Sequence, residues 1–251
     1  MRPITIGGRE LRFPAVCAPL VARTPHLLGH ECAAVAAKRP DMIEWRVDHF
    51  DALNDTRAVL AAAAQIKAHA ANIPILFTRR HSREGGAMIA VGEGEVMDVY
   101  RAVCASGQVD AVDFEMENDP AHLERVREMT KAASLPLVLS FHDFRSTPTV
   151  DALVQRFHRA EALGADIAKV AVMPQSQQDV LNLLQATSQA SREVGIPVVS
   201  MAMGKLGAVT RAIGWLFGSA MTFAIGQERS APGQMAIEDM QAVISALQRV
   251  G

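Results

Sequence analysis

Residues 135–172 open with Leu135-Pro136-Leu137-Val138-Leu139-Ser140-Phe141, pass through the helical-length segment Asp151 to Leu163, and reach Ile167-Ala168-Lys169-Val170-Ala171-Val172 after Gly164. The two short apolar runs read as strands covered on both faces, because only such strands lack a polar alternation. The segment between them has helical periodicity, and Gly164 falls where a helix C-cap glycine sits. Strand, helix, strand in this order is a βαβ unit, which demands a parallel sheet.

The same texture extends in both directions. Ala15-Val16-Cys17-Ala18-Pro19, Met42 to Val47, Pro74 to Thr78 and Ala111 to Glu115 precede it, and Ile196 to Met201 and Ala220 to Ile225 follow, so eight strands are predicted. Ala121 to Ala133 is a second clear helical segment, and Gly195 is read, like Gly164, as a C-cap. Pro74, Pro136 and Pro197 stand at strand starts, where a missing N–H is tolerated. The strand centres are about 24–37 residues apart, the size of one βα unit. Eight such units in 251 residues describe a (β/α)8 barrel of the TIM type. An open doubly wound sheet is the alternative, but no G-x-G-x-x-G follows the first strand. Ile4-Thr5-Ile6, Gly7-Gly8 and Glu10 to Phe13 read as an N-terminal β-hairpin. No linker or composition step interrupts the chain, so residues 1–251 are expected to form one domain.

Composition narrows the function. The 27.0 kDa chain has 25 basic and 27 acidic residues, a net charge of −2, and no basic excess to meet a nucleic acid. The longest wholly apolar run is Ala58 to Ala64, too short for a membrane span, and residues 1–8 have no apolar leader segment. Cys17, Cys32 and Cys104 form no C-x-x-C pair. A cytoplasmic protein that binds neither nucleic acid nor membrane is expected. No H-x-H, H-E-x-x-H or Walker loop appears, so no metal site or nucleotide site is predicted.

In such a barrel the chemistry gathers at the C-terminal ends of the strands. Of five lysines, Lys169 alone lies inside an apolar strand. Burial disfavours the ammonium and frees the amine as a nucleophile toward a carbonyl; a strand-end salt bridge is the structural alternative. His142 ends the fifth strand and is suited to general acid–base work, unless it simply pairs with Asp143. Glu44 and Arg46 share one face of the second strand, where they pair with each other or present a fork of polar atoms to a polyhydroxylated ligand. Arg80 and Glu84 lie in a loop freed by Gly85-Gly86. Arg211, in the helix after Met201-Ala202-Met203-Gly204, suits a carboxylate. Ser230-Ala231-Pro232-Gly233-Gln234 follows the eighth strand, either as part of an anion site or as a turn opening the last helix.

Six blocks in this order resemble type I 3-dehydroquinate dehydratase, the Schiff-base class of 3-dehydroquinase. They are Glu44-Trp45-Arg46-Val47-Asp48, Phe77-Thr78 with Arg80 and Glu84-Gly85-Gly86, Ser140-Phe141-His142-Asp143-Phe144, Lys169, Met201 to Gly204 with Arg211, and Ser230 to Gln234. The resemblance covers nearly the whole chain. It implies dehydration of 3-dehydroquinate to 3-dehydroshikimate, a shikimate-pathway step toward aromatic amino acids, with no cofactor and no metal. It implies Lys169 as the imine-forming lysine, His142 as acid and base, and Glu84 as the residue that holds the histidine. Glu44, Arg46 and Arg80 correspond to residues on the ring hydroxyls. Arg211, Ser230 and Gln234, with Met203 beside them, correspond to residues around the substrate carboxylate and the neighbouring hydroxyl. The resemblance also implies a homodimer. Arg79 stands where the family commonly has an apolar residue, and the choice of Arg80 over Arg79 rests on its spacing to Glu84. The rival readings are a class I aldolase, which shares the lysine but calls for a phosphate site, a non-catalytic barrel that senses a polyhydroxy acid, and a metal-dependent hydrolase.

Overall fold

The computed structural model describes residues 2–250; Met1 and Gly251, the ends of the expected domain, lie outside the described residues. The chain starts with a hairpin, β1 (Thr5–Ile6) and β2 (Arg9–Glu10), paired antiparallel through Gly7 and Gly8. Both glycines have positive φ (57° and 76°), the left-handed conformation that a tight hairpin turn requires. Among the described residues eight strands then alternate with eight helices. The strands are β3 (Ala15–Leu20), β4 (Met42–Arg46), β5 (Ile75–Thr78), β6 (Ala111–Glu115), β7 (Leu137–Asp143), β8 (Ile167–Val172), β9 (Val198–Ala202) and β10 (Met221–Phe223). The helices are α1 (Pro25–Ala37), α2 (Thr56–His69), α3 (Glu93–Ser106), α4 (Pro120–Ala132), α5 (Val150–Ala162), α6 (Gln177–Glu193), α7 (Gly204–Ile213) and α8 (Ile237–Gln248).

All barrel strands are parallel, in the order β10-β3-β4-β5-β6-β7-β8-β9. The ring closes where Val198 bridges Ser219 and the Ala220 N–H donates to the Val198 carbonyl at 2.8 Å. This is the expected (β/α)8 barrel. Ile75, Leu137 and Val198 each follow one of the three strand-start prolines, whose carbonyls accept from Ile43, Val112 and Ala168 on the neighbouring strands. Gly164 has the expected positive φ, 82°. Gly195 does not, because α6 ends on Val194 in extended backbone; the Gly195 N–H donates instead to Glu161 on α5.

Period-two alternation divides each strand between two cores. Outward residues such as Val16, Ile43, Trp45, Phe77, Val112, Leu139 and Val170 pack against the helices. Inward residues at the N-terminal ends, Ala15, Cys17, Met42, Leu76, Ala111, Val138, Ile167 and Met221, pack together with Ile4, Ile6 and Leu11 of the hairpin. The hairpin therefore plugs the N-terminal end of the barrel. Trp45, Phe77, Tyr100 and Phe114 form an edge-to-face chain, with neighbouring ring centroids 5.2–5.6 Å apart, that locks β4–β6 to α3. Among the described residues no helix is long and apolar enough to cross a membrane.

Candidate active site

Continuing the inward alternation toward the C-terminal ends replaces apolar side chains with polar ones. On β4 the inward column is Met42, Glu44, Arg46; on β5 and its extension Leu76, Thr78, Arg80; on β6 Ala111, Asp113, Glu115; on β7 Val138, Ser140, His142; on β8 Ile167, Lys169, Ala171. The register sets Glu115 beside Ser140 and Ser140 beside Lys169, so charged groups from successive strands fall in one tier. Above them lies a cavity of about 440 Å³, including its open mouth. Lys169, His142, Glu84, Glu44, Arg46, Arg80, Met203, Arg211, Ser230 and Gln234 all line it, so every residue singled out from sequence is brought to one place.

Lys169 is 4% exposed. Its Nζ donates to Asp113 Oδ2 at 3.3 Å, lies 3.9 Å from Glu44 Oε1, and sits 4.4 Å from the centre of the Phe223 ring. Glu44 Oε1 accepts from Thr78 Oγ1 at 3.0 Å. Glu44 and Arg46 do not pair with each other. Arg46 makes a bidentate contact with Asp48 at 2.9 and 2.8 Å. Asp48 also accepts from the N–H groups of Arg80 and Ala87, which fastens the loop after β5 to the barrel rim.

That loop carries Glu84. The turn Ser82–Glu84 ends on Gly85 with φ 81°, and a Cβ on Gly86 would stand 1.9 Å from the Arg80 carbonyl oxygen. Only glycine fits there. Glu84 Oε2 accepts from the His142 backbone N–H and contacts His142 Nδ1, both at 2.9 Å. His142 thus pairs with Glu84 and not with Asp143, which instead caps the turn at Arg145 and Ser146. Nε2 of His142 has no hydrogen-bond partner among the described residues, and His142 lines the cavity. Burial pushes the Glu84 carboxyl up to about 8, against the pull of Arg80. Burial, followed by the cations Arg80 and Lys169, holds His142 well below the usual imidazole range. Burial thus works against the charged form of both members of the pair.

Arg80 and Arg79 separate cleanly. Arg80 faces the cavity, donating to Asp113 Oδ1 and Ser140 Oγ at 2.7 Å each and to Glu115 Oε1 at 3.3 Å. Arg79 points outward to Glu93 at the start of α3, with Glu115 3.8 Å away. Burial would raise the Asp113 carboxyl, but Arg80, Lys169 and the Ser140 hydroxyl outweigh it and hold it below its ordinary value.

On the opposite wall Arg211 has no acidic partner among the described residues. It donates to the carbonyls of Phe223 and Pro232 at 3.3 and 3.2 Å, and its Nε is buried without an acceptor. Burial lowers it to about 10, still charged at neutral pH. Gln234 Oε1 accepts from the N–H groups of Ser230 and Ala231, and its Nε2 donates to Ser230 Oγ, so the 230–234 segment is a closed turn beside Arg211. A cation without a counter-ion next to hydroxyl and amide groups is a carboxylate-sized receptor. Among the described residues no group of three His, Cys, Asp or Glu is placed to hold a metal ion.

Asp113 and Glu115 are not among the residues singled out from sequence, and Thr78 and Ser140 stand in the quoted blocks without a role. From sequence, Ala111 to Glu115 reads simply as a short apolar strand. The signal was present, since acids two residues apart in an apolar run repeat the Glu44/Arg46 pattern on another strand.

The chain is a (β/α)8 barrel with a charged, polar cavity at its C-terminal mouth. Residues 16–250 match the family model described as Type I 3-dehydroquinase. A 3-dehydroquinate dehydratase from Albidiferax ferrireducens is 49% identical over 99% of this chain and 95% of its own length. The crystal structure of 3-dehydroquinate dehydratase from Geobacillus kaustophilus superposes with a TM-score of 0.96 at 47% identity, covering 99% of this chain and 97% of that one. The type I enzyme from Clostridium difficile, solved with covalently modified comenic acid, superposes at 0.95 with 29% identity over 100% of this chain and 99% of its own. The chain belongs to the type I 3-dehydroquinase family.

Proposed function

We propose that this chain dehydrates 3-dehydroquinate to 3-dehydroshikimate through a covalent imine on Lys169, with His142 as the single acid–base group. The observation that carries the reading is one cavity holding a buried amine, an imidazole backed by the Glu84 carboxyl and an arginine without an acidic partner. The covalently modified ligand in the Clostridium difficile relative supports attachment to the protein.

Lys169 gives up a proton as its nitrogen adds to the ketone carbon, and that proton leaves with the carbinolamine hydroxyl as water, so that a protonated imine remains. His142 Nε2 takes the C2 proton, and the C–H electron pair moves into a C2=C3 enamine, which neutralises the imine nitrogen. The enamine expels the C1 hydroxyl, which leaves as water with the proton that His142 returns. A second water hydrolyses the imine, restoring the amine and releasing product; the net change is loss of one water. In the reacting form the Glu84 carboxylate accepts from Nδ1–H, which leaves Nε2 free as the base, and proton uptake at Nε2 then cancels the charge of the pair. Arg211 with Ser230 and Gln234 takes the substrate carboxylate, and Glu44, Arg46 and Arg80 border the ring hydroxyls.

A conjugated enone is formed, so ultraviolet absorbance follows the reaction directly. Turnover of 3-dehydroquinate by the wild type and none by K169A is expected. A folded wild type without turnover would remove the reaction, and a K169A variant within tenfold of wild type would remove the imine. A homodimer belongs to the same reading, supported by the family resemblance and by the exposed Leu181, Leu206, Val209 and Leu216 on α6, on α7 and just after α7. A cytoplasmic location is supported by three free thiols, Cys17, Cys32 and Cys104.

A further inference from the structure

Asp113 is wholly buried, and its two oxygens have different duties. Oδ1 is gripped by Arg80 Nη2 and Ser140 Oγ, both at 2.7 Å. Oδ2 meets Lys169 Nζ at the longer distance of 3.3 Å. Tyr100 on α3 donates its hydroxyl to the Asp113 carbonyl at 3.0 Å, which fixes the backbone from the other side of the sheet. The carboxylate is thus held at Oδ1 by Arg80 and Ser140, with its other oxygen aimed at the lysine.

We infer that Asp113 is a positioning residue: its Oδ2 accepts the single N–H of the protonated imine on Lys169 and so sets the plane of the C=N bond relative to His142. The inference rests on the imine reading above. An ammonium has three N–H bonds and satisfies several acceptors at once. A protonated imine has one, lying in the plane of the C=N bond, so the acceptor that takes it fixes how the substrate ring is turned. Asp113 is the nearer of the two carboxylates. Glu44 is 3.9 Å from Nζ and already accepts from Thr78, and Phe223 offers only a ring face. When the C2 proton is lost the nitrogen becomes neutral, and the weak 3.3 Å contact loosens while the two 2.7 Å contacts hold the carboxylate in place for the next turnover.

The test is kcat per trappable site. Borohydride with 3-dehydroquinate counts, by intact mass, the sites that form an imine, and steady-state turnover is divided by that count. A merely structural role for Asp113 would lower the count and leave the quotient unchanged. For D113N the quotient is expected to fall by up to about 10²-fold, the effect of misplacing a reacting group by an ångström, with KM within a few-fold of wild type. S140A, which keeps the charge but removes one grip on Oδ1, is expected to show a smaller fall in the same direction. Wild-type kcat per site in D113N overturns the inference; if D113N traps no substrate, wild-type kcat per site in S140A overturns it. Failure of the wild type itself to be trapped overturns the imine reading, a separate outcome visible in the same experiment.

Discussion

Lys169 and His142 take their roles from their neighbours more than from their own chemistry. The amine lies between two carboxylates and an aromatic face, and the imidazole is backed by a carboxyl that burial pushes up to about 8. H142A is expected to lower kcat by about 10²–10⁴-fold, the range of a positioned acid–base group, and K169A by more than that; steady-state assays rank the two. R211K keeps the charge and loses the planar fork. Its kcat/KM is expected to fall by about tenfold to a hundredfold, mostly through KM, matching the roughly 1.5–3 kcal/mol of a charged hydrogen bond. Glu84 gives a pH signature. The folded chain keeps a proton there up to about 8, whereas the unfolded chain releases it near 4.5. Through this group stability falls as pH rises between those two values. E84Q cannot titrate, so its Tm relative to wild type is expected to climb from about pH 5 to about pH 8; a flat or falling difference would contradict the assignment. At this scale the sequence revealed groups that stand alone, such as a lone lysine in a strand or a histidine at a strand end. It hid Asp113 and Glu115, whose importance comes from lying one tier across from Lys169 in the barrel register.

The elements that matter most are the strand ends and the loop of residues 81–92. Strand positions were legible because buried parallel strands are near-continuous apolar runs and each βα unit repeats that signal. Their ends were less so: β7 runs on through His142 to Asp143, since the polar residues of the site continue the ladder. Gly195 departs from the cap expectation: glycine after a helix usually marks a left-handed cap, whereas here Val194 leaves in extended backbone. In the loop, Gly86 packs against the Arg80 carbonyl, so G86A must displace either Arg80 or Glu84. Its kcat/KM is expected to drop by about 10²-fold if the shift approaches an ångström. Gly94 on α3 meets open space, so G94A is the control, with wild-type kinetics and a gain of about 0.4–1 kcal/mol in a denaturant titration.

Over the whole molecule the barrel separates stability from chemistry along its axis. Apolar inward residues and the hairpin fill the N-terminal end, and charged inward residues fill the other. The eight-fold repeat made the architecture readable from sequence, and the hairpin was readable from Gly7-Gly8. Its place as a plug was not, because which end of a barrel a preceding hairpin covers depends on tertiary packing of Ile4, Ile6 and Leu11. I4A is expected to cost about 2–5 kcal/mol of unfolding free energy while kcat and KM of the folded fraction stay at wild-type values. A change in KM would mean that the two ends are coupled. The central claim is the covalent bond at Lys169, and borohydride reduction in the presence of 3-dehydroquinate, followed by intact mass and peptide mapping, tests it most directly. The account predicts one reduced adduct per chain, on Lys169, with 3-dehydroshikimate accumulating in the untreated control. Turnover without an adduct, or an adduct on another residue, would contradict it.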